Sequence, residues 1–295
     1  MDSYDYPKKP LNIIQMRAPN NFAIFVMTYG RKDKVPSVES LRKSNYSGRW
    51  FLVVGDDDPQ LANYQKNFGD KVLVFDKEKY YNSTERIGLD IKKVICYARN
   101  ACFDLAQEVG VEYFQQFDDD YTGFHMTYDA DLNYLNKRPI LKDYDRVVIN
   151  MLEFYKNTPF TAIAFSQGGD FIGGGDEKSF VKRKCMNSWI CSTKRPFRFQ
   201  GSMNEDTNAY TFLASQGHSF VHFTPYRLEQ PVTQSSGGMT EVYKKYGTHV
   251  KSFLTVILNP SFVKIGQIKS SDGRLHHSIN WERCAAKIIS EEYKK

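Results

Sequence analysis

The chain has 295 residues, 41% of them hydrophobic, and a formal net charge of +6. That is enough apolar sequence to build the core of one large α/β domain, or of two small ones, without outside help. Five cysteines, an odd number with no CxxC pair among Cys96, Cys102, Cys185, Cys191 and Cys284, argue against both a disulfide framework and a cysteine zinc site.

No apolar run is long enough to span a bilayer, and Met1–Pro10 is polar and charged where a signal peptide would be apolar, so a cytoplasmic protein is expected. The modest positive charge admits a polyanionic partner but does not choose between nucleic acid, nucleotide and plain solubility. In chain order, Phe22–Met27 is a short continuous apolar run of the kind buried in a parallel sheet, and it ends in the polar loop Thr28–Asp33. A helical pattern over Ser37–Ser44 leads to a second apolar strand, Trp50–Gly55, which runs into Asp56, Asp57 and Asp58. Lys71–Phe75 reads as a third strand and Ile91–Glu108 as a helix closed by Gly110. Tyr113–Phe117 is a fourth strand that delivers Asp118, Asp119 and Asp120.

Strand and helix in alternation predict a doubly wound, mostly parallel sheet flanked by helices, and such sheets bind ligands beyond the carboxyl ends of their strands. Every polar cluster named so far falls at that edge. The second half reads as a helix over Asp143–Tyr155, a strand over Thr161–Phe165 and a Gly-rich loop over Gln167–Gly175. A basic, aromatic stretch over Lys178–Phe199 follows, then a helix opening near Asn204 and ending at Gly217. Phe220–Phe223 is a further strand, and Asn280–Lys294 an amphipathic closing helix. With no internal repeat or linker, a single domain over 1–295 is the simplest organisation.

Three adjacent carboxylates repel one another unless a cation sits among them, and Mg²⁺ or Mn²⁺ takes such oxygen ligands. An isolated triplet could equally be a solvated turn that caps a helix. The surrounding pattern decides: a helix with Ala98-Arg99-Asn100, then a strand ending in Phe117-Asp118-Asp119-Asp120, resembles the GT-A glycosyltransferases with their Asp-any-Asp metal motif.

The resemblance covers most of the chain and implies a donor half over 1–120 and an acceptor half over 121–295. It implies that Asp118 and Asp120 hold the metal bridging a UDP-sugar diphosphate, with Asp118 and Asp119 also meeting the nucleotide. Thr28, Tyr29, Arg31 and Asp56 stand where GT-A enzymes grip the nucleotide, and Arg99 could neutralise phosphate or orient the carboxylates. Asp206, or Glu205 beside it, is expected as the base of an inverting reaction, although acidic residues also suit any first helical turn. His249 is the expected histidine metal ligand, chosen over His222, His276 and His277.

Lys178, Lys182, Arg183, Lys184, Lys194, Arg195 and Arg198, interleaved with Phe180, Trp189, Phe197 and Phe199, are expected on the acceptor side, where cations attract phosphates and rings stack on bases. With the opening Ile24–Arg31, this makes the chain similar to the TET-associated glycosyltransferases of bacteriophages, relatives of the base J glucosyltransferase. That likeness implies transfer of a sugar, glucose in the simplest case, to a hydroxymethylated pyrimidine in DNA inside an infected host. Three alternatives remain open: a polysaccharide, protein or lipid acceptor; a nucleotidyltransferase; and a catalytically inactive DNA-binding protein.

Overall fold

A computed structural model describes residues 17–31, 34–129, 131–135, 139–167, 185, 187–231, 240–247, 249–267, 275–284 and 291. Its centre is a sheet of β1 (Phe22–Met27), β2 (Arg49–Gly55), β3 (Val72–Phe75), β4 (Tyr113–Asp118), β5 (Gly123–Met126), β6 (Ala162–Gln167), β7 (Ile190–Ser192) and β8 (Phe220–Glu229), in the order β3-β2-β1-β4-β7-β6-β8-β5. Pairs β1–β2, β2–β3, β1–β4 and β6–β8 are parallel, whereas β7 runs against β4 and β6, and β5 against β8. The expected α/β class is therefore observed, as a mostly parallel sheet with two reversed strands.

The apolar runs form strands because both faces of the sheet are covered. In β1, Ala23, Phe25 and Met27 enter one core and Phe22, Ile24 and Val26 the other, and all six are buried. The first core is closed by α4 (Ile95–Glu108) and α6 (Glu205–Ala214). The second is closed by α1 (Pro36–Lys43), α2 (Leu61–Phe68) and α5 (Tyr144–Lys156). Burying such alternating apolar sets on two sides of one sheet is the main force behind this architecture. All five cysteines are buried and none is in a disulfide.

Three expected elements differ from those observed. The helix expected from Ile91 begins at Ile95, with Val94 extended and offering no capping side chain. Lys92, Lys93 and Val94 supply no good N-cap, and Ile91 packs instead with Met203 and Leu254. The strand expected to stop at Phe223 continues to Glu229: its register against β6 jumps after Phe165, which lets Pro225 pass without a ladder hydrogen bond. Of the closing helix expected over Asn280–Lys294, Trp281–Cys284 is observed, Asn280 precedes it, and residues 285–290 and 292–294 lie outside the described residues. The Gly-rich loop beyond Gln167 also lies outside them, and so do Lys178, Phe180, Lys182, Arg183 and Lys184.

Three further helices and a hairpin follow: α3 (Lys77–Asn82), α7 (Thr240–Tyr246), α8 (His249–Leu258), and the antiparallel pair β9 (Val263–Gln267) and β10 (Leu275–Ile279). Of these, α8 and the hairpin matter most here, because they pack beside the start of α6.

Candidate active site

The strand order places a topological switch between β1 and β4, since β2 and β3 extend the sheet on one side of β1 and β4 on the other. In an open α/β sheet a crevice forms there beyond the carboxyl ends of the strands. Thr28 follows β1 and Asp119 follows β4, and the Thr28 hydroxyl donates to Asp119 Oδ2 at 2.8 Å across that crevice. Arg31 NH2 donates to Asp119 Oδ1 at 2.7 Å, while its Nε lies 2.7 Å from Oδ2 at ion-pair distance without hydrogen-bond alignment. The bond to Asp119 is the main cause that raises the Arg31 pKa, against the opposing cost of burial. Arg31 stays charged and fixed.

The loop that presents these groups is itself held from behind. Gly30, at φ +68°, uses a backbone conformation that suits glycine, and its N–H donates to Asp58 Oδ2 at 3.0 Å. The Arg31 N–H donates to the Tyr64 hydroxyl at 2.7 Å. Asp58 and Tyr64 are both buried, and neither was singled out from sequence. The acidic run after β2 was the signal, but Asp56 spends one carboxylate oxygen on the N–H of Lys77 and Asp57 pairs with the Lys77 ammonium, leaving Asp58 to reach the loop. Tyr29 is 38% exposed, with the Lys77 and Lys93 ammonium groups 4.8 and 5.6 Å from its ring centre.

Arg99 stands at the centre. Its side chain is 1% exposed, and three of its nitrogens are taken: Nε donates to Glu205 Oε1 at 3.0 Å, NH1 to the Asn187 carbonyl at 3.0 Å, and NH2 to Asp118 Oδ1 at 2.8 Å. One buried cation thus joins the acidic triplet to the Glu205–Asp206 helix. Burial works against its charge, but Asp118 and Glu205 more than offset that and raise its pKa. Burial pushes Asp118 up to about 7, against the pull of Arg99, and likewise raises Glu205. Asn100 pins the same region, its side chain making paired bonds with the Phe199 backbone at 3.1 and 2.8 Å.

Asp120 differs from its two neighbours: among the described residues no side-chain hydrogen bond or ion pair reaches its carboxylate, and burial, then the adjacent Asp119, raises its pKa. Among the described residues no three His, Cys, Asp or Glu side chains form a ready metal cluster. The donor set still suits a hard divalent cation, because Mg²⁺ is commonly held by one or two carboxylates together with substrate phosphates. Asp118, with one oxygen on Arg99, and Asp120 offer two such carboxylates.

His249 begins α8 on the surface and stacks edge-on against Phe253 at 6.1 Å. The histidine beside the Glu–Asp pair is His277, whose Nδ1 lies 3.2 Å from Asn204 Nδ2. From the sequence it is only a residue near the tail.

The expected acceptor segment is mostly structural where it is described. Trp189 has no exposed surface and packs edge-on against Phe199 and Phe220, so it is not available to stack on a ligand. Lys194 pairs with Glu112, which precedes the first residue of β4, at the sheet edge opposite the crevice. Arg195 NH1 donates to the carbonyls of Tyr155, Thr158 and Phe160 at 3.4, 3.0 and 2.7 Å, capping the end of α5. Arg198 donates to the Asn100 carbonyl and to Asp104 on α4. Physically, β7 reverses the chain direction, so residues after Ser192 emerge at the wrong edge.

A mostly parallel sheet whose switch point is lined by an acidic triplet, and linked through one arginine to a Glu–Asp helix, is the arrangement expected of a glycosyltransferase of GT-A type. More particularly, the chain belongs to the TET-associated glycosyltransferase family, whose model matches residues 22–239. Among solved structures it is similar to mannosyl-3-phosphoglycerate synthase from Rubrobacter xylanophilus, at 8% identity and a TM-score of 0.43, over 90% of this chain and 87% of that one. It is also similar to a putative nucleotide-diphospho-sugar transferase from Desulfovibrio desulfuricans G20, at 8% identity and a TM-score of 0.38, over 70% and 80% of the two chains. Likenesses this distant carry no argument of their own. No curated protein matches the chain. No helix of the described residues is long and apolar enough to cross a membrane.

Proposed function

We propose that this glycosyltransferase moves a sugar, glucose in the simplest case, from a UDP-sugar to the hydroxymethyl group of a modified pyrimidine in DNA, with inversion at the anomeric carbon. The observation that supports a two-substrate site most directly is the bridge from Asp118 through Arg99 to Glu205. It ties a donor-side acid to the helix that carries the expected base, in keeping with a donor half over 1–120 and an acceptor half over 121–295. The DNA acceptor draws support from membership of the TET-associated family and from the net charge of +6. The same reading sets the protein in the cytoplasm of a phage-infected host.

In this mechanism Tyr29 offers its exposed ring to the donor base, and Thr28 and Arg31, fixed by Asp119, Tyr64 and Asp58, shape the pyrophosphate side. Asp56 adds its second carboxylate oxygen to the nucleotide. Asp118 and Asp120 would hold Mg²⁺ or Mn²⁺, which when bound would supply positive charge to offset the negative charge building on the leaving diphosphate. The acceptor oxygen attacks the anomeric carbon, the bond from that carbon to the diphosphate oxygen breaks, and the acceptor proton passes to Asp206. Asp206 follows Glu205, whose carboxylate Arg99 fixes, so the base is placed by the same cation that braces the donor side. Arg99, with each of its three nitrogens bonded to a protein oxygen, orients carboxylates and leaves phosphate binding to Arg31.

The test combines a panel of nucleotide sugars, Mn²⁺ and hydroxymethylated DNA, with product nucleosides weighed by mass spectrometry. A sugar-sized mass gain in the hydroxymethyl nucleoside is expected, with UDP and not pyrophosphate released. Asp206→Asn should lower turnover about 10²- to 10⁴-fold while donor affinity holds. Sugar transfer only to a saccharide, protein or lipid would replace the acceptor, and release of pyrophosphate would replace the reaction.

A further inference from the structure

Beside the start of α6 lies a second cavity that the mechanism above does not use. It has a volume of about 590 Å³, within the range of small-ligand sites, and is lined by the loop from Tyr81 to Asp90 together with Gln200. None of Thr28, Tyr29, Arg31, Asp56 or the acidic triplet lines it. Its wall is tied to the reaction side of the molecule: the Ser202 N–H donates to the Glu85 carbonyl at 2.9 Å, and Ile87, Leu89 and Ile91 pack on Met203. Gln200 and Asp206 are six positions apart, so at roughly 3.5 Å per step the rim lies within about 20 Å of the proposed base.

The loop is built to hold one shape. Ile87 takes φ +50°, which a β-branched residue rarely adopts, and Gly88 follows at φ +74°. The Glu85 carboxylate secures this turn by accepting the N–H groups of Arg86 and Ile87 at 2.8 and 2.5 Å. Above it the Arg86 guanidinium lies 3.7 Å from the centre of the Tyr81 ring, and the Tyr81 hydroxyl donates to Asp90 at 2.8 Å. Arg86 Nε is buried with no hydrogen-bond partner among the described residues. A strained turn thus displays a planar cation, fixed on an aromatic ring, at the wall of a polar cavity.

The charge balance selects the ligand. Glu85 and Asp90 outnumber Arg86 among the lining residues, so a phosphate gains little there. A flat, uncharged heterocycle gains a guanidinium surface to stack on, while Asn82 and Gln200 can both donate to and accept from its edge. We propose that this cavity receives a nucleobase next to the modified one on the acceptor strand, stacked against Arg86, and so sets the sequence context in which the enzyme works. The proposal rests on the DNA-acceptor reading.

It is tested on the full chain with UDP and Mn²⁺ present, by fluorescence anisotropy with a short single-stranded oligonucleotide carrying one hydroxymethyl pyrimidine. Arg86→Ala should weaken binding about tenfold, as loss of one base stack does, while calorimetric UDP affinity stays unchanged. Arg86→Lys keeps the charge without the plane and should bind nearly as poorly as Arg86→Ala; full recovery by lysine would overturn stacking. Making the neighbouring positions abasic should weaken the wild type to the level of Arg86→Ala and leave that variant unaffected. Equal weakening of both proteins would overturn the proposal, and so would a monosaccharide competing at the cavity. A wild type that glycosylates some other acceptor and ignores DNA removes the DNA reading and this inference together. A wild type that still modifies DNA, with Arg86→Ala binding as tightly, removes the inference alone.

Discussion

The loops after β1 and β4 and the segment after β7 draw on similar chemistry: arginines, aromatic rings and carboxylates within a few residues of one another. The first two leave parallel strands at their carboxyl ends, and so Thr28, Arg31 and Asp119 meet over the switch point. The strand β7 runs the other way, with Ser192 paired to Tyr113 at the beginning of β4, and so Lys194 and Arg195 emerge on the far edge. In the first region cations are spent on carboxylates that face a crevice, and in the second on backbone carbonyls and a surface glutamate. Strand direction, more than residue type, decides which basic residues can reach a ligand.

The largest effect should follow from breaking the centre of the first region. Arg99→Met leaves Asp118 and Glu205 without their shared cation, and removal of one partner from a buried ion cluster costs about 3–5 kcal/mol. Urea denaturation at neutral pH measures it, and turnover should vanish with it; a loss under about 1 kcal/mol, at the level of a surface pair, would remove the bridge from its central place.

Trp189→Ala opens a cavity in the second region and should cost about 3–5 kcal/mol by the same measurement, with calorimetric UDP affinity unchanged. Trp189→Phe should cost much less, because the indole N–H has no partner among the described residues and phenylalanine removes it.

Arg195→Met removes the cap on α5 and should cost about 1–2 kcal/mol, with no change in DNA binding by electrophoretic shift. Weakened DNA binding would return this residue to the acceptor side.

Smallest is Arg198→Ala, a largely exposed pair worth under about 1 kcal/mol. Burial would raise the Asp104 pKa, but Tyr80, Lys79 and Arg198 more than offset it and hold it below the ordinary carboxylate value. The stabilisation is therefore complete above that ordinary value and is lost as pH falls through the folded one. Unfolding curves of wild type and variant should converge in acid and separate at neutral pH.

Much of the crevice beyond β1 and β4 was legible in the chain because it depends on short signals in fixed order. An apolar run followed by a polar loop marks a buried strand and its carboxyl end, and Phe22–Arg31 and Tyr113–Asp120 both carry that signal. Asp58 and Tyr64 were hidden because their work is to hold backbone N–H groups, which leaves no trace in residue spacing. The bridge by Arg99 joins residues 106 positions apart in sequence, and only tertiary packing brings them together. Lys194, Arg195 and Trp189 were misplaced because a three-residue strand such as β7 has too little pattern to announce its direction. His277 reads in the sequence only as a residue near the tail, and the β9–β10 hairpin that returns it to Asn204 is seen only in the fold.

The guanidinium shared by Asp118 and Glu205 also limits how this scaffold can be rebuilt. A chimaera spliced anywhere between those two positions inherits one acid from each parent, and both must fit a single arginine whose third contact is the Asn187 backbone. Recombination between relatives should therefore yield working hybrids only when both parents keep this charge pattern, so that new acceptor modules exchange freely within such a lineage and fail outside it.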